Sequence, residues 1–225
     1  MSNVSSIAAA SLRRAPLSQA LRERTRAVPT ESEGSAFIAE LVAGERSKDD
    51  YTSMLAQHSF VYAALESVGE VLAGDETVAP FLSPSLTRLP AIEADLDFLL
   101  GEGWRGRVEP LPATVRYVER IHAMAGWPGG YVAHHYTRYL GDLSGGHVIR
   151  SLLQRHYGFE TNGIGFYLFD GIAKPKDFRD TYRAQLDAAP WHEAEKDRVV
   201  DEAVTAFSLT TALFADLERA TSSVA

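Results

Sequence analysis

The sequence predicts an all-α, single-domain helical bundle, on three observations. Apolar residues recur at three- and four-residue steps along most of the chain, while strand-type alternation is almost absent. Clusters of glycine and proline cut the text into pieces of helical length. The 225 residues contain no internal repeat, low-complexity tract or interior linker. That length fits one large domain or two small ones, and one is the economical reading.

The elements follow in order. Residues 1–16 read as a disordered leader and 17–222 as the domain. A first helix starts near Pro16–Leu17 and presents Leu17, Ala20, Leu21 and Arg24 on one face. Ser47 is a good N-cap for a long helix, with Asp49 and Asp50 in the first turn, where the dipole favours acids. That helix runs to about Gly74 and carries Tyr51, Met54, Leu55, His58, Tyr62 and Leu65 on one stripe. Further helices are expected over roughly 86–100, with Pro90 in the first turns, over 113–125, and over 131–157 after the breaker Gly126-Trp127-Pro128-Gly129-Gly130. An irregular aromatic stretch (159–174) precedes two last helices, about 175–187 and 191–219.

Composition excludes several classes. Lys and Arg number 22 against 30 Asp and Glu, a formal charge of −8, and no basic run suggests nucleic acid. There is no cysteine, so no disulfide framework, thiolate metal site or cysteine nucleophile exists. This is compatible with a reducing cytoplasm, the expected location. No stretch of about 18 apolar residues is present, so no membrane span is expected.

The informative segment is Tyr136-Thr137-Arg138-Tyr139-Leu140-Gly141-Asp142-Leu143-Ser144-Gly145-Gly146-His147. Each glycine in a helix costs about 1 kcal/mol against alanine, so the three together forfeit roughly 2–3 kcal/mol. Gly141 and Gly145 share a face. Without side chains there, a flat object can lie close to the backbone. A bare Gly-x-x-x-Gly more often marks close helix packing. Asp142 beside that surface, with Arg138 one turn earlier, reads instead as a polar network over a ligand face.

The run from His134 to Gly146 resembles the distal helix of haem oxygenases nearly residue for residue. Shorter segments agree in order: 17–25, 61–66, 154–158, 178–183 and 214–217. The resemblance covers about 17–217 and is nearest actinobacterial members. It implies a haem-oxygenase-like bundle that holds haem, as substrate and cofactor, between a proximal and a distal helix. Haem is then oxidised with O2 and electrons to biliverdin, CO and ferrous iron. The electron donor would be a ferredoxin or a flavin reductase. The distal glycines fall on Gly141 and Gly145, and the carboxylate that orders the proton-delivering waters on Asp142. Arg138 and Tyr62 match the rest of that network. Thr210 stands where the family usually has asparagine. The propionate-binding positions fall on Arg22, Tyr136, Arg179 and Arg183. Arginine grips carboxylates bidentately, so its presence where relatives have lysine preserves anchoring.

One position departs. The family's proximal histidine falls on Pro29, and proline neither binds iron nor continues a helix interior. Thr30-Glu31-Ser32-Glu33 is a capping-box pattern, so a break near Val28–Thr30 and a new start at Glu31 are expected. No metal-ligating residue is assigned. Water or no protein ligand ranks first, Glu31 or Glu33 second, a displaced histidine third. His147 replaces a common glutamine and should point away from the glycine face. His134 lies near Gly141's face but about 10 Å along the axis. Axial ligation tunes haem chemistry, which leaves a haem or bile-pigment carrier or sensor as the alternative. A dimetal oxidase would need repeated Glu-x-x-His motifs, and Glu119-Arg120-Ile121-His122 has no second copy.

Overall fold

The computed structural model describes residues 15–26 and 33–222. The leader through residue 14, Pro29, the break at Val28–Thr30 and the start at Glu31 lie outside the described residues, as does the Thr30 to Glu33 cap. Among the described residues there are helices and short turns but no strand. The helices are α1 (Leu17–Arg26), α2 (Glu33–Ala43), α3 (Lys48–Val71), α4 (Leu89–Leu100), α5 (Pro112–Ala123), α6 (Pro128–His135), α7 (Gly141–Tyr157), α8 (Pro175–Ala188) and α9 (Glu193–Ser222). No described helix is long and apolar enough to cross a membrane.

Local chemistry sets most boundaries. Ser47 caps α3 as a reciprocal box: its Oγ accepts from the Asp50 amide at 3.1 Å, and its own amide donates to Asp50 Oδ2 at 2.9 Å. Proline opens α5, α6 and α8, where its missing N–H is no loss. Gly158 ends α7 at φ 72°, a left-handed turn that glycine adopts without strain. Several boundaries move from expectation. α3 stops at Val71 rather than Gly74, Leu86 belongs to a short turn before α4, α6 begins at Pro128, inside the expected breaker, and α9 runs from Glu193 to Ser222 rather than 191–219.

α9 is the spine, packed against α1, α2, α3, α5 and α6, while α3 also packs on α4 and α5. The expected α3 stripe, Tyr51, Met54, Leu55, His58, Tyr62 and Leu65, is buried throughout. Burying an apolar side chain of this kind contributes about 1.5–3 kcal/mol. On α1 the stripe is narrower than expected. Leu17 and Leu21 are buried, but Arg24 is exposed and pairs with Asp201 at 3.1 Å.

The expected single helix over 131–157 is interrupted. A π-helical turn over Tyr136–Leu140 separates α6 from α7. Such a turn inserts an extra residue and re-aims the side chains on either side of it. Here Arg138 sits in its middle.

Candidate functional site

The site is built where Asp142, in the first turn of α7, meets Tyr62 of α3. Tyr62 projects from α3, clamped edge-on by Tyr139 and Phe166, each with its centroid 5.4 Å from the Tyr62 ring. Asp95 of α4 fixes the aromatic stretch by accepting from the amides of Gly165 (2.9 Å) and Phe166 (2.8 Å). Arg88 binds the carbonyls of Phe166 and Leu168 from the other side. The Tyr62 hydroxyl is thereby aimed, and it donates to Asp142 Oδ2.

Asp142 keeps 17% of its side chain exposed. Burial pushes its pKa well above the usual carboxylate range. Arg138 Nη2 approaches Asp142 Oδ2 only to 3.8 Å, too far for a hydrogen bond. The guanidinium lies 5.3 Å from the Tyr62 ring centroid. Its Nε and Nη2 are buried without a hydrogen-bond partner. Tyr62, Arg138 and Asp142 are therefore brought together as the sequence predicts.

The glycine face is open. A Cβ added at Gly141 or Gly145 would meet nothing within 4 Å, whereas one at Gly146 would press on Tyr167 at 3.2 Å. Gly146 thus serves packing, and Gly141 and Gly145 do not. Val148, further along α7, is 50% exposed. The result is a flat strip of small and apolar groups beside a buried acid.

The predicted anion-binding residues divide. Arg22 and Arg183 reach Tyr136 electrostatically, together with Arg26, and counter the effect of burial on its hydroxyl. Arg183 is also held by Asp180 at 3.0 Å. Arg179 lies one turn before Arg183 on α8. It lines a cleft of about 370 Å3 with Asp142, Leu143, His147 and Tyr167. Its Nε is buried and unpartnered. His147 therefore borders the cleft that holds Asp142, a neighbourhood its helical angle alone did not indicate. His134 is buried against Glu202. Thr210 donates weakly to the Tyr117 hydroxyl at 3.4 Å. Glu119 and His122 are exposed on α5, not inward as a dimetal scaffold requires.

Sequence reasoning missed Tyr117, Tyr139, Tyr167 and Glu202. Each is an ordinary residue in a helix or loop until folding gathers it. His58 and His135 are buried, and burial holds each imidazole down at about 3, so both stay neutral. His58 Nδ1 donates to the Met54 carbonyl at 2.8 Å, and His135 Nδ1 lies 2.8 Å from the Tyr182 hydroxyl.

Comparison with known proteins identifies the family of the fold. The chain is 36% identical over 207 residues to heme oxygenase 1 of Gallus gallus, covering 90% of this chain and 70% of that protein. The crystal structure of heme oxygenase-2 from Synechocystis sp. PCC 6803, in complex with heme and NO, superposes with a TM-score of 0.87 at 31% identity, covering 93% of this chain and 88% of that one. Heme oxygenase-1 from the same cyanobacterium, in complex with heme, gives 0.85 at 32% identity, covering 93% and 97%. A heme oxygenase family model matches residues 15–216. With its glycine strip, buried acid and bundle in place, the chain belongs to the heme oxygenase family.

Proposed function

We propose that this protein binds haem on the Gly141–Gly145 strip and oxidises it, with O2 and electrons, to biliverdin, CO and ferrous iron. The observation that carries this reading is the open strip beside the Tyr62–Asp142–Arg138 cluster. A flat, largely apolar macrocycle with two carboxylates fits these residues. The strip would floor one face, and Arg22, Tyr136 and Arg183 would take a propionate by charge-assisted hydrogen bonds. Arg179 is assigned to the second propionate on sequence grounds, and its unpartnered Nε supports an anionic ligand. Residues 17–222 would act as one domain.

When bound, haem supplies the site of oxygen activation and the ring that is cleaved. The protein supplies proton handling and position. Burial raises the Asp142 pKa well above the ordinary carboxylate range and favours its protonated form, which suits a proton donor. Tyr62 donates to it and fixes the direction of its carboxyl. Arg138 supplies buried N–H donors for water. Glycines at 141 and 145 let the acid approach without a side chain blocking the macrocycle.

Pro29 sets the second reading, a haem or bile-pigment carrier or sensor that has lost turnover. It removes the proximal histidine, leaving water or no protein ligand as the first-ranked arrangement. Retention of Tyr62, Arg138 and Asp142 favours the enzyme, because a carrier needs no acid relay. The reading further places the protein in the cytoplasm, fed by a ferredoxin or flavin reductase, and of actinobacterial type.

Adding haemin to the purified protein, then a ferredoxin-type donor under O2, separates the two. Stoichiometric binding with biliverdin supports the enzyme. Binding without biliverdin leaves the carrier, and absence of binding overturns both. Pro29→His should produce a six-coordinate, histidine-type absorption spectrum.

A further inference from the structure

A cavity of about 290 Å3 lies between α3, α6 and the connection that leads into α4. It shares no lining residue with the Asp142 cleft. α3 supplies Glu66, Gly69 and Glu70, whose three- and four-residue spacing puts them on one face. α6 and the π turn supply Tyr131, His135 and Tyr139. Residues 82–87 form the third wall. Gly69 lets the first two walls meet: a Cβ there would stand 2.5 Å from the Tyr131 hydroxyl oxygen. That hydroxyl donates to the Leu65 carbonyl at 3.2 Å, so Tyr131 is fixed in place.

Glu66 gives the cavity a charge. Its Oε1 accepts from the amides of Arg88 (2.6 Å) and Leu89 (3.0 Å), where α4 starts, and from the Tyr139 hydroxyl at 3.4 Å. All three donors go to one oxygen, and among the described residues none reaches Oε2. A carboxylate oxygen has room for further donors, so Oε2 is left as a free acceptor. Burial raises the Glu66 pKa despite these donors and the nearby Arg88 charge, which marks an under-compensated anion. No lysine or arginine lines the cavity. Arg88 turns its guanidinium onto the carbonyls of Leu86, Phe166 and Leu168 and over the Phe169 ring. His135 is 2% exposed, and burial holds its imidazole at about 3, so it adds no positive charge. Its Nδ1 is engaged by the Tyr182 hydroxyl, and its Nε2 has no hydrogen-bond partner among the described residues. Tyr131 and Tyr139 flank that imidazole with centroids 5.7 and 4.3 Å away, so the second wall is aromatic.

Aromatic rings attract a cation to their faces, and a carboxylate oxygen without a donor supplies the ion pair. The volume is at the lower end of small-ligand sites, roughly 300–1,000 Å3. We propose that this cavity binds a small aliphatic ammonium ion, with Glu66 Oε2 as its anionic partner, the exposed Glu70 at the mouth and the tyrosine rings along the alkyl chain. The site is independent of the haem-degrading reading above.

The probe is butylammonium chloride, added to the haem-free protein and followed by 1H–15N NMR. Butanol is the neutral comparator, and sodium chloride matches the ionic strength. Saturable shifts are expected at the amides of Gly69, Leu89 and Tyr131 with butylammonium, and binding about tenfold weaker with butanol, the scale of a lost charge-assisted hydrogen bond. Glu66→Gln keeps an amide oxygen for the Arg88 and Leu89 N–H groups but removes the charge, and should weaken butylammonium binding about tenfold. Glu70→Gln, at an exposed side chain, should weaken it about two- to threefold, as for a surface ion pair. No saturable shift, butanol binding as tightly as butylammonium, or unchanged affinity in Glu66→Gln overturns the proposal. Should Glu66→Gln not fold, Glu70→Gln and the butanol comparison decide by the same criteria. A blocked lysine peptide that binds more tightly than butylammonium overturns the free amine as occupant and gives the pocket to a partner's side chain.

Discussion

Two buried carboxylates, Asp142 and Glu202, behave in opposite senses because their partners differ. Asp142 has one donating hydroxyl and a distant cation, so burial dominates and its pKa rises. Folding thus favours its protonated form. That contribution is full below the ordinary carboxylate pKa and is lost as pH rises through the raised value. Glu202 accepts close hydrogen bonds from Arg120 and His134, and its pKa falls to about 2. Its contribution is full above the ordinary value and is lost as pH falls toward about 2. Urea unfolding of the haem-free protein should show both. Relative to the unmodified chain, Asp142→Asn should gain stability as pH rises above the ordinary carboxylate pKa, and Glu202→Gln should lose less as pH falls from the ordinary glutamate pKa toward about 2. Matching slopes in either pair would remove the assignment. In turnover, Asp142→Asn should reduce biliverdin formation by about 10²–10⁴-fold, the usual worth of a positioned acid. Haemin titration should find binding within a few-fold of normal.

At the scale of the element, the distal segment combines a π-helical turn with a glycine strip. The glycines weaken the helix, and nothing in the protein fills the space they leave. Gly141→Ala should therefore raise the stability of the haem-free protein by about 0.5–1 kcal/mol through helix propensity. It should at the same time weaken haemin binding, measured by absorbance titration. Stability and affinity rising together would mean that the strip is not the binding face. Gly146→Ala is the internal contrast: its Cβ presses on Tyr167, so stability should not rise. The glycine pattern was legible in the sequence because three glycines in a helical text need a reason. The π turn was not, since a single added residue per turn leaves the apolar spacing of 131–157 nearly intact.

For the whole molecule, α9 joins the two sides of the bundle. Phe37 of α2 is fully buried, stacks on Phe214 of α9 at 6.3 Å and carries Arg46 over its ring at 4.3 Å. Phe37→Ala should cost about 3–5 kcal/mol in denaturant unfolding. A loss under about 1 kcal/mol would place it among surface changes. On the proposed haem-binding reading, α2, seated on α9, would form one side of the pocket. Haemin binding should weaken in the same variant.

The sequence by itself determined the helical class, the α3 stripe, the Ser47 cap and the placing of Arg138 one turn before Asp142, while Tyr62 was expected beside them from the family resemblance. The first four are local properties: period, capping chemistry and a motif within one turn. Only the tertiary structure decided that Arg179 lines the Asp142 cleft, and that His147 shares that cleft. It also decided that His134 meets Glu202, 68 residues away. A helical wheel gives an angle about one axis, whereas a buried polar contact depends on which second helix arrives there and at what depth. Asp142 was readable from its own helix, whereas its contact with Tyr62 of α3 came only with the fold.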